Sequence, residues 1–218
     1  MSNIRDIYGI GDKKANELKK HYNIRTVSSL RNYVRKIPNI ITDSQRKGLK
    51  YHSRIKHKVP YKTVEKHANY ILKQLPGSVI AGSFRRKERK IGDIDVLITS
   101  DLDKAVEKLI HKKYIVASLS KGDEKFSGVV KLPNVESYRK IDIVKTTKEE
   151  KPFALLYFTG DFVQNISMRQ KAKKKGFTLS QHGLRNNSNN RLVKNIKSER
   201  DIFNFLNIEY LIPENRIH

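Results

Sequence analysis

The spacing of apolar residues changes at Pro76-Gly77, and this change constrains the fold more than any other feature of the sequence. Before it, the apolar residues of 61–75 recur at helical spacing on one face: Val64, Ala68, Ile71, Leu72 and Leu75. After it, five segments have strand character: "SVIAG", "DIDVLIT", "YIVASL", "FSGVVKL" and "YRKIDIV". Between the second and third, "DLDKAVEKLIHKK" predicts an amphipathic helix that Asp101 caps.

The two ends of the chain complete an α+β fold with a mixed or antiparallel sheet. Residues 1–59 predict a helical subdomain built from "IRDIYGIGDKKANELKKHY", "TVSSLRNYVRKI" and "DSQRKGLKYHSRIK". Residues 60–147 hold the sheet, and the polar segment 146–151 predicts a linker. Residues 148–218 predict a small mixed subdomain, in which "FALLYFTG" is a turn into a helix ending at Gly176, 186–191 is a loop, and a short capped helix follows.

Charge points to the class of partner. The sequence has 46 Lys and Arg against 22 Asp and Glu, a net charge of +24 spread along the chain. Such an excess favours binding of a polyanion, because binding releases condensed counterions. We therefore expect a nucleic-acid partner; an RNA-coating protein or a merely soluble surface is the alternative. No apolar run is long enough for a membrane helix, and no cysteine is available for disulfides or thiolate metal sites.

Three acids stand where strands normally avoid them. Alternation in "DIDVLIT" places Asp93 and Asp95 on one face, and "YRKIDIV" sets Asp142 between two isoleucines. If these strands are antiparallel neighbours, the three carboxylates converge. Oxygen ligands without His or Cys favour Mg²⁺ or Mn²⁺, and two such ions can serve phosphoryl transfer. The alternative is a solvated strand end with ordinary ion pairs.

The loop "AGSFRR" precedes the first of these acids. It follows a strand and can present Gly82 and Ser83 to phosphate oxygens, while Arg86 can neutralise a triphosphate. The spacing of a P-loop is absent, so a Walker-type ATPase is disfavoured. On its own, Gly-Ser would be an ordinary turn.

The order and spacing of several motifs resemble family X DNA polymerases, within the nucleotidyltransferase superfamily that shares the DNA polymerase β palm. The motifs are "GSFRRKERKIGDIDVLIT", "YRKIDIV", "LYFTG", "MRQKAKKKGFTL" and "IPEN". The resemblance covers nearly the whole chain. It implies a helix-hairpin-helix DNA-binding subdomain at 1–59, a catalytic palm at 60–147 and a C-terminal subdomain at 148–218 that closes on the nascent base pair.

The resemblance also implies roles for single residues. Asp93 and Asp95 would ligate two Mg²⁺ ions, for which Mn²⁺ can substitute, and Asp142 would ligate the catalytic ion beside the primer 3′-hydroxyl. The implied triphosphate contacts are Ser83, Arg86, Gly92 and Lys58. The implied contacts to the sugar and the nascent base pair are Tyr157, Phe158, Gly160, Asn165 and Arg169, the last on the template strand. Lys140 is an implied DNA contact.

The segment "IYGIGDKKANEL" resembles the family's helix-hairpin-helix motif. Gly9 and Gly11 would bring backbone N–H groups against DNA phosphates, with Lys13 and Lys14 beside them, and Ala15 would allow close helix packing. The resemblance implies a monovalent cation, Na⁺ or K⁺, bound by carbonyl oxygens of the hairpin.

Some positions depart from the family pattern. Ile91 stands where the family usually has a small polar residue, and Lys58 stands where it commonly has an arginine. Asp161 lies one position before the place where the family usually has an acid, and "QHGL" at 181–184 lacks the tyrosine expected there. The hairpin begins at Ile4, so we expect neither a lyase domain nor a BRCT module.

These observations predict a DNA-directed DNA polymerase that adds dNTPs to a primer 3′-hydroxyl at short gaps in repair. A template-independent or RNA-directed nucleotidyltransferase and a catalytically inactive DNA-binding scaffold are the alternatives. The expected partners are gapped or primer-template DNA, dNTP and a DNA ligase, with no membrane. We expect a monomer in the nucleus or cytoplasm of the host cell, associated with the virion if the source is viral.

Overall fold

The structure is a computed structural model that describes residues 3–216. Its N-terminal part is helical: a 3-10 turn at Ile4–Asp6 is followed by α1 (Asp12–Tyr22), α2 (Val27–Lys36) and α3 (Asp43–Ile55). The predicted continuous helix from residue 4 to 22 is wrong, because a turn separates the 3-10 segment from α1. Gly9 has φ +80° in this turn, a conformation that favours glycine.

The ends of these helices follow from local chemistry. Asn23 ends α1 in the left-handed conformation, and Thr26 and Thr42 begin α2 and α3 with capping boxes. Their apolar faces form one buried cluster of eleven residues: Ile4, Ile7, Ile10, Ala15, Leu18, Ile24, Val27, Leu30, Ile40, Ile41 and Leu49. Arg139 ties the end of α3 to the sheet, since it donates hydrogen bonds to the carbonyls of His57 and Arg54.

The middle of the chain forms a five-stranded mixed sheet of order β2-β4-β7-β6-β5. Its strands are β2 (Val79–Ile80), β4 (Asp93–Ile98), β5 (Ile115–Lys121), β6 (Lys125–Lys131) and β7 (Tyr138–Lys145). β1 (Val59–Pro60) and β3 (Lys90–Ile91) pair separately. The helices α4 (Tyr61–Gln74) and α6 (Leu102–His111) belong to the same buried cluster as the inward residues of the sheet.

Two expectations for this region are wrong. Leu72 does not belong to the buried face of α4 but is 41% exposed, because the sheet covers only the stripe through Val64, Ala68 and Ile71. β4 and β7 are parallel, not antiparallel. α6 carries the chain across to the far edge strand, and the antiparallel succession β5, β6, β7 then returns it beside β4 in the same direction.

The C-terminal part contains α7 (Lys151–Thr159), α8 (Phe162–Lys174), the hairpin β8 (Phe177–Ser180) and β9 (Gly183–Asn186), and α9 (Glu199–Phe205). The predicted turn at 153–160 is a helix, for which Pro152 is suited because it stands in the first turn. Asp161 caps α8 by accepting from the backbone N–H of Gln164 at 2.7 Å.

α7 connects the sheet to this C-terminal part. Its residue Ala154 packs with Leu97 and Val144 on the sheet face that does not contact α4 and α6. Its residues Phe153 and Leu156 belong to the other buried cluster, around α8, α9 and the hairpin. Among residues 3–216 the structure has no helix of the length and apolar character that crossing a bilayer requires.

Candidate active site

Strand register brings two of the three predicted acids side by side. Asp95 of β4 pairs with Asp142 of β7, and Asp93 pairs with Lys140. Neighbouring strands lie about 4.8 Å apart and paired residues project to the same face. Asp93 and Asp95 are two positions apart, so they also share this face. The parallel arrangement therefore gathers the three acids on one surface, although the sequence predicted the opposite strand direction.

Lysines neutralise this acidic surface. The Lys140 Nζ lies 3.4 Å from Asp93 Oδ2 and 3.1 Å from Asp142 Oδ2, so it bridges two carboxylates. The Lys125 Nζ lies 2.9 Å from Asp142 Oδ2. On the other side of the same carboxylate, the buried Ser127 hydroxyl donates to Oδ1 at 2.7 Å. Both oxygens of Asp142 are thus held by neighbours from β6 and β7.

The surroundings set two carboxylates apart in acidity. Burial, and then the charges of Asp93 and Asp142, raise the pKa of Asp95 to about 7. Burial also raises the pKa of Asp142, but Lys140, the Ser127 hydroxyl and Lys125 outweigh it, so this pKa lies below its ordinary value. Asp142 is therefore anionic at neutral pH, whereas Asp95 is poised to exchange a proton unless a cation is added.

The donor set fits divalent cations in chemistry but is not preassembled for them. Three carboxylates without His or Cys are ligands that Mg²⁺ and Mn²⁺ prefer. Burial contributes most to the raised pKa of Asp95, and the charges of Asp93 and Asp142 add to it; a bound cation would oppose the part that comes from charge. As they stand, however, no three His, Cys, Asp or Glu side chains within residues 3–216 are grouped so that they could hold a metal ion. The lysine ammonium groups occupy the carboxylate oxygens instead.

The predicted phosphate loop lies against the acidic surface. The Ala81 N–H donates to the Asp95 carbonyl at 2.8 Å, and Gly82 then starts the four-residue helix α5 (Gly82–Arg85) where a plain turn was expected. Gly82 has φ +59°, and a Cβ at this position would overlap the Asp95 carboxylate oxygen Oδ2. Glycine is thus required here twice over, by backbone conformation and by contact. Ser83 is the next residue and is partly exposed.

Arg86 makes intramolecular contacts in this structure. Its guanidinium donates to the Thr159 carbonyl at 2.7 Å and forms an ion pair with Glu88. Lys58 lies 3.8 Å from the other Glu88 carboxylate oxygen, and its side chain passes close to Gly92. The structure therefore brings the four predicted triphosphate contacts near the loop, but Glu88 holds the two cations. Their role toward a triphosphate stays a prediction.

The residues predicted to contact the sugar and the base pair separate into two groups. Asn165 donates to the Tyr157 carbonyl at 2.8 Å and lies against Gly160, and the Arg169 guanidinium stacks 4.9 Å from the Tyr157 ring centre. Phe158 instead packs on the sheet with Leu97 and Val144 and lines a small cavity next to Lys125. Tyr157 and Phe158 touch edge to face but serve different surfaces.

The N-terminal hairpin is remote in sequence and has its own geometry. The Gly9 carbonyl accepts a hydrogen bond from the Gln45 side chain at 2.7 Å. Gly11 directly precedes α1, and no atom lies within 4 Å of the position that a Cβ would take there, so its backbone is accessible. Lys13 is exposed, whereas Lys14 pairs with Glu17 at 2.7 Å. The monovalent cation expected here stays a prediction.

Sequence reasoning missed two contacts of the site, made by Lys125 and Ser127, and one exposed apolar surface on α8. Lys125 and Ser127 reach Asp142 only through the pairing of β6 with β7, and nothing in "KFSGVVK" alone signals it. Phe162 is 78% exposed and Ile166 is 39% exposed, on the helical face that also carries Arg169. The i, i+4, i+7 spacing of these three residues was the available signal.

Curated relatives align with nearly the whole chain. A DNA polymerase lambda of Rattus norvegicus is 29% identical over 97% of this chain, and one of Arabidopsis thaliana is 27% identical over 97%. A DNA polymerase/3'-5' exonuclease PolX of Bacillus subtilis is 31% identical over 62%. The chain spans 41%, 45% and 23% of these relatives' own lengths, less than half in each case.

Solved structures share the fold. A ternary P/T complex of Leishmania infantum polymerase beta superposes with a TM-score of 0.89 at 28% identity, covering 99% of this chain and 97% of that one. A ternary gap complex of the same protein gives 0.90 at 26% identity, covering 99% and 89%. The family models for the DNA polymerase beta palm and thumb match residues 54–148 and 154–217. With its acids paired across β4 and β7, the chain belongs to family X, the DNA polymerase β-like polymerases.

Proposed function

We propose that this protein is a DNA-directed DNA polymerase that adds dNTPs to a primer 3′-hydroxyl at short gaps during repair. One observation carries the proposal: Asp95 and Asp142 are paired across β4 and β7 directly beside the Gly82 loop, and Lys140 joins Asp93 to Asp142. An acidic surface next to a loop that can approach phosphates suits transfer of a nucleotidyl group.

The three carboxylates would hold two Mg²⁺ ions, or Mn²⁺, which would supply charge neutralisation for the triphosphate and activate the attacking hydroxyl. Asp142 is deprotonated at neutral pH because its pKa is lowered, so it would be available to ligate a cation beside the primer hydroxyl. Lys140 sits between Asp93 and Asp142 and would turn to a DNA phosphate when cations replace it.

The incoming triphosphate would lie along the start of α5. Ser83 and the Gly92 backbone would donate to its oxygens, and Arg86 and Lys58 would exchange Glu88 for phosphate. Because Arg86 also bonds the carbonyl at the end of α7, this exchange would couple triphosphate binding to the position of α7 and α8.

The nascent base pair would lie against Tyr157, Gly160 and α8. Asn165 and Arg169 project from one face of α8 toward Tyr157, which supports contacts to the incoming base and the template. Phe158 lies on the sheet side of α7, so we assign it to packing beneath the sugar rather than to direct contact.

The N-terminal hairpin would bind the DNA backbone without reading sequence. Gly11 leaves its backbone accessible, the Gly9 carbonyl would exchange the Gln45 side chain for Na⁺ or K⁺ that bridges to a phosphate, and Lys13 and Lys14 add charge. We propose the same three-part division as above, with the hairpin at 1–59, the catalytic palm at 60–147 and the closing subdomain at 148–218. A ligase that seals the product is the natural partner, and we propose a monomer acting in the nucleus or cytoplasm.

A one-nucleotide gap supplies the test. Purified protein with Mg²⁺ should extend the primer by one nucleotide with the dNTP complementary to the template, and much less with the other dNTPs or the rNTPs. Asp142→Asn is the matched control, since it keeps size and removes charge. Incorporation that persists without a template would instead favour a template-independent enzyme. No incorporation with intact DNA binding would favour an inactive scaffold.

A further inference from the structure

Two cavities adjoin on the C-terminal part, away from the acidic surface. One, of about 680 Å³, lies between the turn at 147–150 and the segment 192–197. The other, of about 430 Å³, lies between the same turn and the start of α9. They share Lys148, Pro152 and Lys197, so they form one continuous depression, which we name the C-terminal groove.

A small cavity lies between the C-terminal groove and the candidate active site. It has a volume of about 80 Å³, and its lining includes Lys125 and Phe158 as well as Glu150 and His182. Lys125 is the residue that contacts Asp142 at 2.9 Å. Glu150 and His182 also line the larger cavity of the groove. A path of shared lining residues therefore runs from the acidic surface into the groove.

The groove is strongly cationic. Six basic residues line its two cavities: Lys148, Lys151, Arg185, Lys194, Lys197 and Arg200. None of the six forms an ion pair with an acid in the part of the chain that the structure describes, residues 3–216.

Three acids also line the groove, and one of them is neutralised by arginines. Glu199 is held by Arg85 and Arg216, each at 2.6 Å, and Glu150 lies within hydrogen-bond distance of His182 at 3.1 Å. Glu149 is the third and is exposed. The charge of the groove thus favours a polyanion.

The floor between these cations is apolar. Phe153 and Pro152 are buried beneath it, and Leu192, Val193 and Ile196 border it. At the α9 end the Arg200 guanidinium stacks 4.3 Å from the Tyr210 ring centre. Cations that track a backbone, combined with apolar or aromatic surface for base faces, are the features that bind single-stranded nucleic acid.

We propose that the C-terminal groove binds a single-stranded extension of the DNA substrate where it leaves the active site. This inference rests on the proposed function, because the continuity of the groove with the acidic surface is what selects DNA over another polyanion. A base pair hides its faces in the stack, whereas an unpaired base can contact the apolar lining of the groove, which includes Val193 and Ile196. Binding would therefore depend on whether the DNA is single-stranded or double-stranded, and not on its sequence.

Fluorescence anisotropy with labelled DNA in EDTA tests this without turnover. A one-nucleotide-gapped duplex is compared with the same duplex carrying an eight-nucleotide single-stranded extension on either strand. We expect the extension to tighten binding about tenfold in low salt. If three phosphates are neutralised, the plot of log K against log salt should steepen by roughly 2, at about 0.7 per phosphate.

The variant Lys148→Gln/Lys194→Gln/Lys197→Gln should lose most of this gain and bind both DNAs alike. The matched control Lys66→Gln/Lys73→Gln/Lys112→Gln removes three exposed lysines of α4 and of the segment after α6 and should retain the gain. An extension without effect, or equal losses in both triple variants, would overturn the proposal. The proposal would also be overturned if polyglutamate competed as strongly as single-stranded DNA, because that result would indicate an acidic protein partner.

Primer extension on the gapped duplex without extension separates the two proposals. If synthesis occurs but the extension effect is absent, the groove assignment alone is wrong. If the extension effect is present and synthesis is absent, the groove stands and the proposed polymerase activity is wrong.

Discussion

The acidic surface of the sheet and the C-terminal groove carry charge in opposite ways. On the sheet, Lys140 and Lys125 pair with Asp93 and Asp142 within 3.4 Å. In the groove, none of the six cations forms an ion pair with an acid among residues 3–216. Paired charges hold a fixed geometry and shift pKa values, whereas unpaired charges leave the surface ready for an external polyanion. The same basic composition therefore produces ion pairs on one surface and unpaired positive charge on the other.

The largest expected effect comes from removing one charge of the paired surface. Asp142→Asn should lower single-nucleotide incorporation about a thousandfold or more, because it removes both a cation ligand and the anion beside the primer hydroxyl. DNA affinity should be retained or rise, since a negative charge is lost. Single-turnover kinetics and anisotropy on gapped DNA measure the two. Asp93→Asn should have the same effects. If either variant retained incorporation, the acidic surface would not differ in function from the C-terminal groove in the way proposed.

Gly82→Ala tests how tightly the loop and the acidic surface fit together. Its φ of +59° and the overlap with Asp95 Oδ2 should cost about 1–3 kcal/mol of unfolding free energy and reduce incorporation. Gly77→Ala is the matched control, because its φ is +82° but nothing lies within 4 Å of the added carbon. Both variants strain the backbone, but only Gly82→Ala adds the overlap with Asp95, so the difference between their melting temperatures measures that overlap. Equal destabilisation of the two variants would show that the overlap does not affect stability.

Ser127→Ala tests whether the hydroxyl orients the Asp142 carboxylate. A hydrogen bond to a charged group contributes roughly 1.5–3 kcal/mol, so the rate of incorporation should fall about tenfold or more. The KM for dNTP and the affinity for DNA should stay unchanged. Ser127→Thr keeps the hydroxyl and should restore most of the rate. Equal rates for Ala and Thr variants would assign Ser127 to packing alone.

The smallest expected effect is on pH-dependent stability without divalent cations. The pKa of Asp95 is about 7 in the folded protein, against 3.8 as the ordinary value. The folded state then binds more protons than the unfolded state between these values, so the contribution of Asp95 to stability falls as pH rises. Asp95→Asn lacks this loss and should melt several degrees above the wild type at pH 8. A difference that does not narrow toward pH 5 would contradict the raised pKa.

Local patterns were sufficient for much of the fold. The change of period at Pro76-Gly77 separated helix from sheet, and Asp101 caps α6 as expected through the backbone N–H of Lys104 at 2.8 Å. The α+β class, the mixed sheet and the family were correct. The errors were non-local: the direction of β7 beside β4 and the exposure of Leu72 depend on which elements meet.

The site divides in the same way. The sequence identified the three acids and the Gly82 loop as candidates, because acids inside a strand are a local anomaly and the Gly-Ser turn directly precedes them in the chain. It could not reveal that Glu88 holds Arg86 and Lys58, or that Ser127 and Lys125 hold Asp142. These contacts join residues from different strands and loops, and their partners are fixed only by register.

The sequence by itself determined which residues are exceptional: the acids within strands, the glycines at turns and the excess of positive charge. Periodicity and composition act over a few residues, so they are readable without the fold. Only the tertiary structure decided that Asp95 faces Asp142 in parallel strands, and that the lysines near the acids are paired while those of the groove are not. Charge pairing depends on distances between segments far apart in the chain, and those distances exist only after folding.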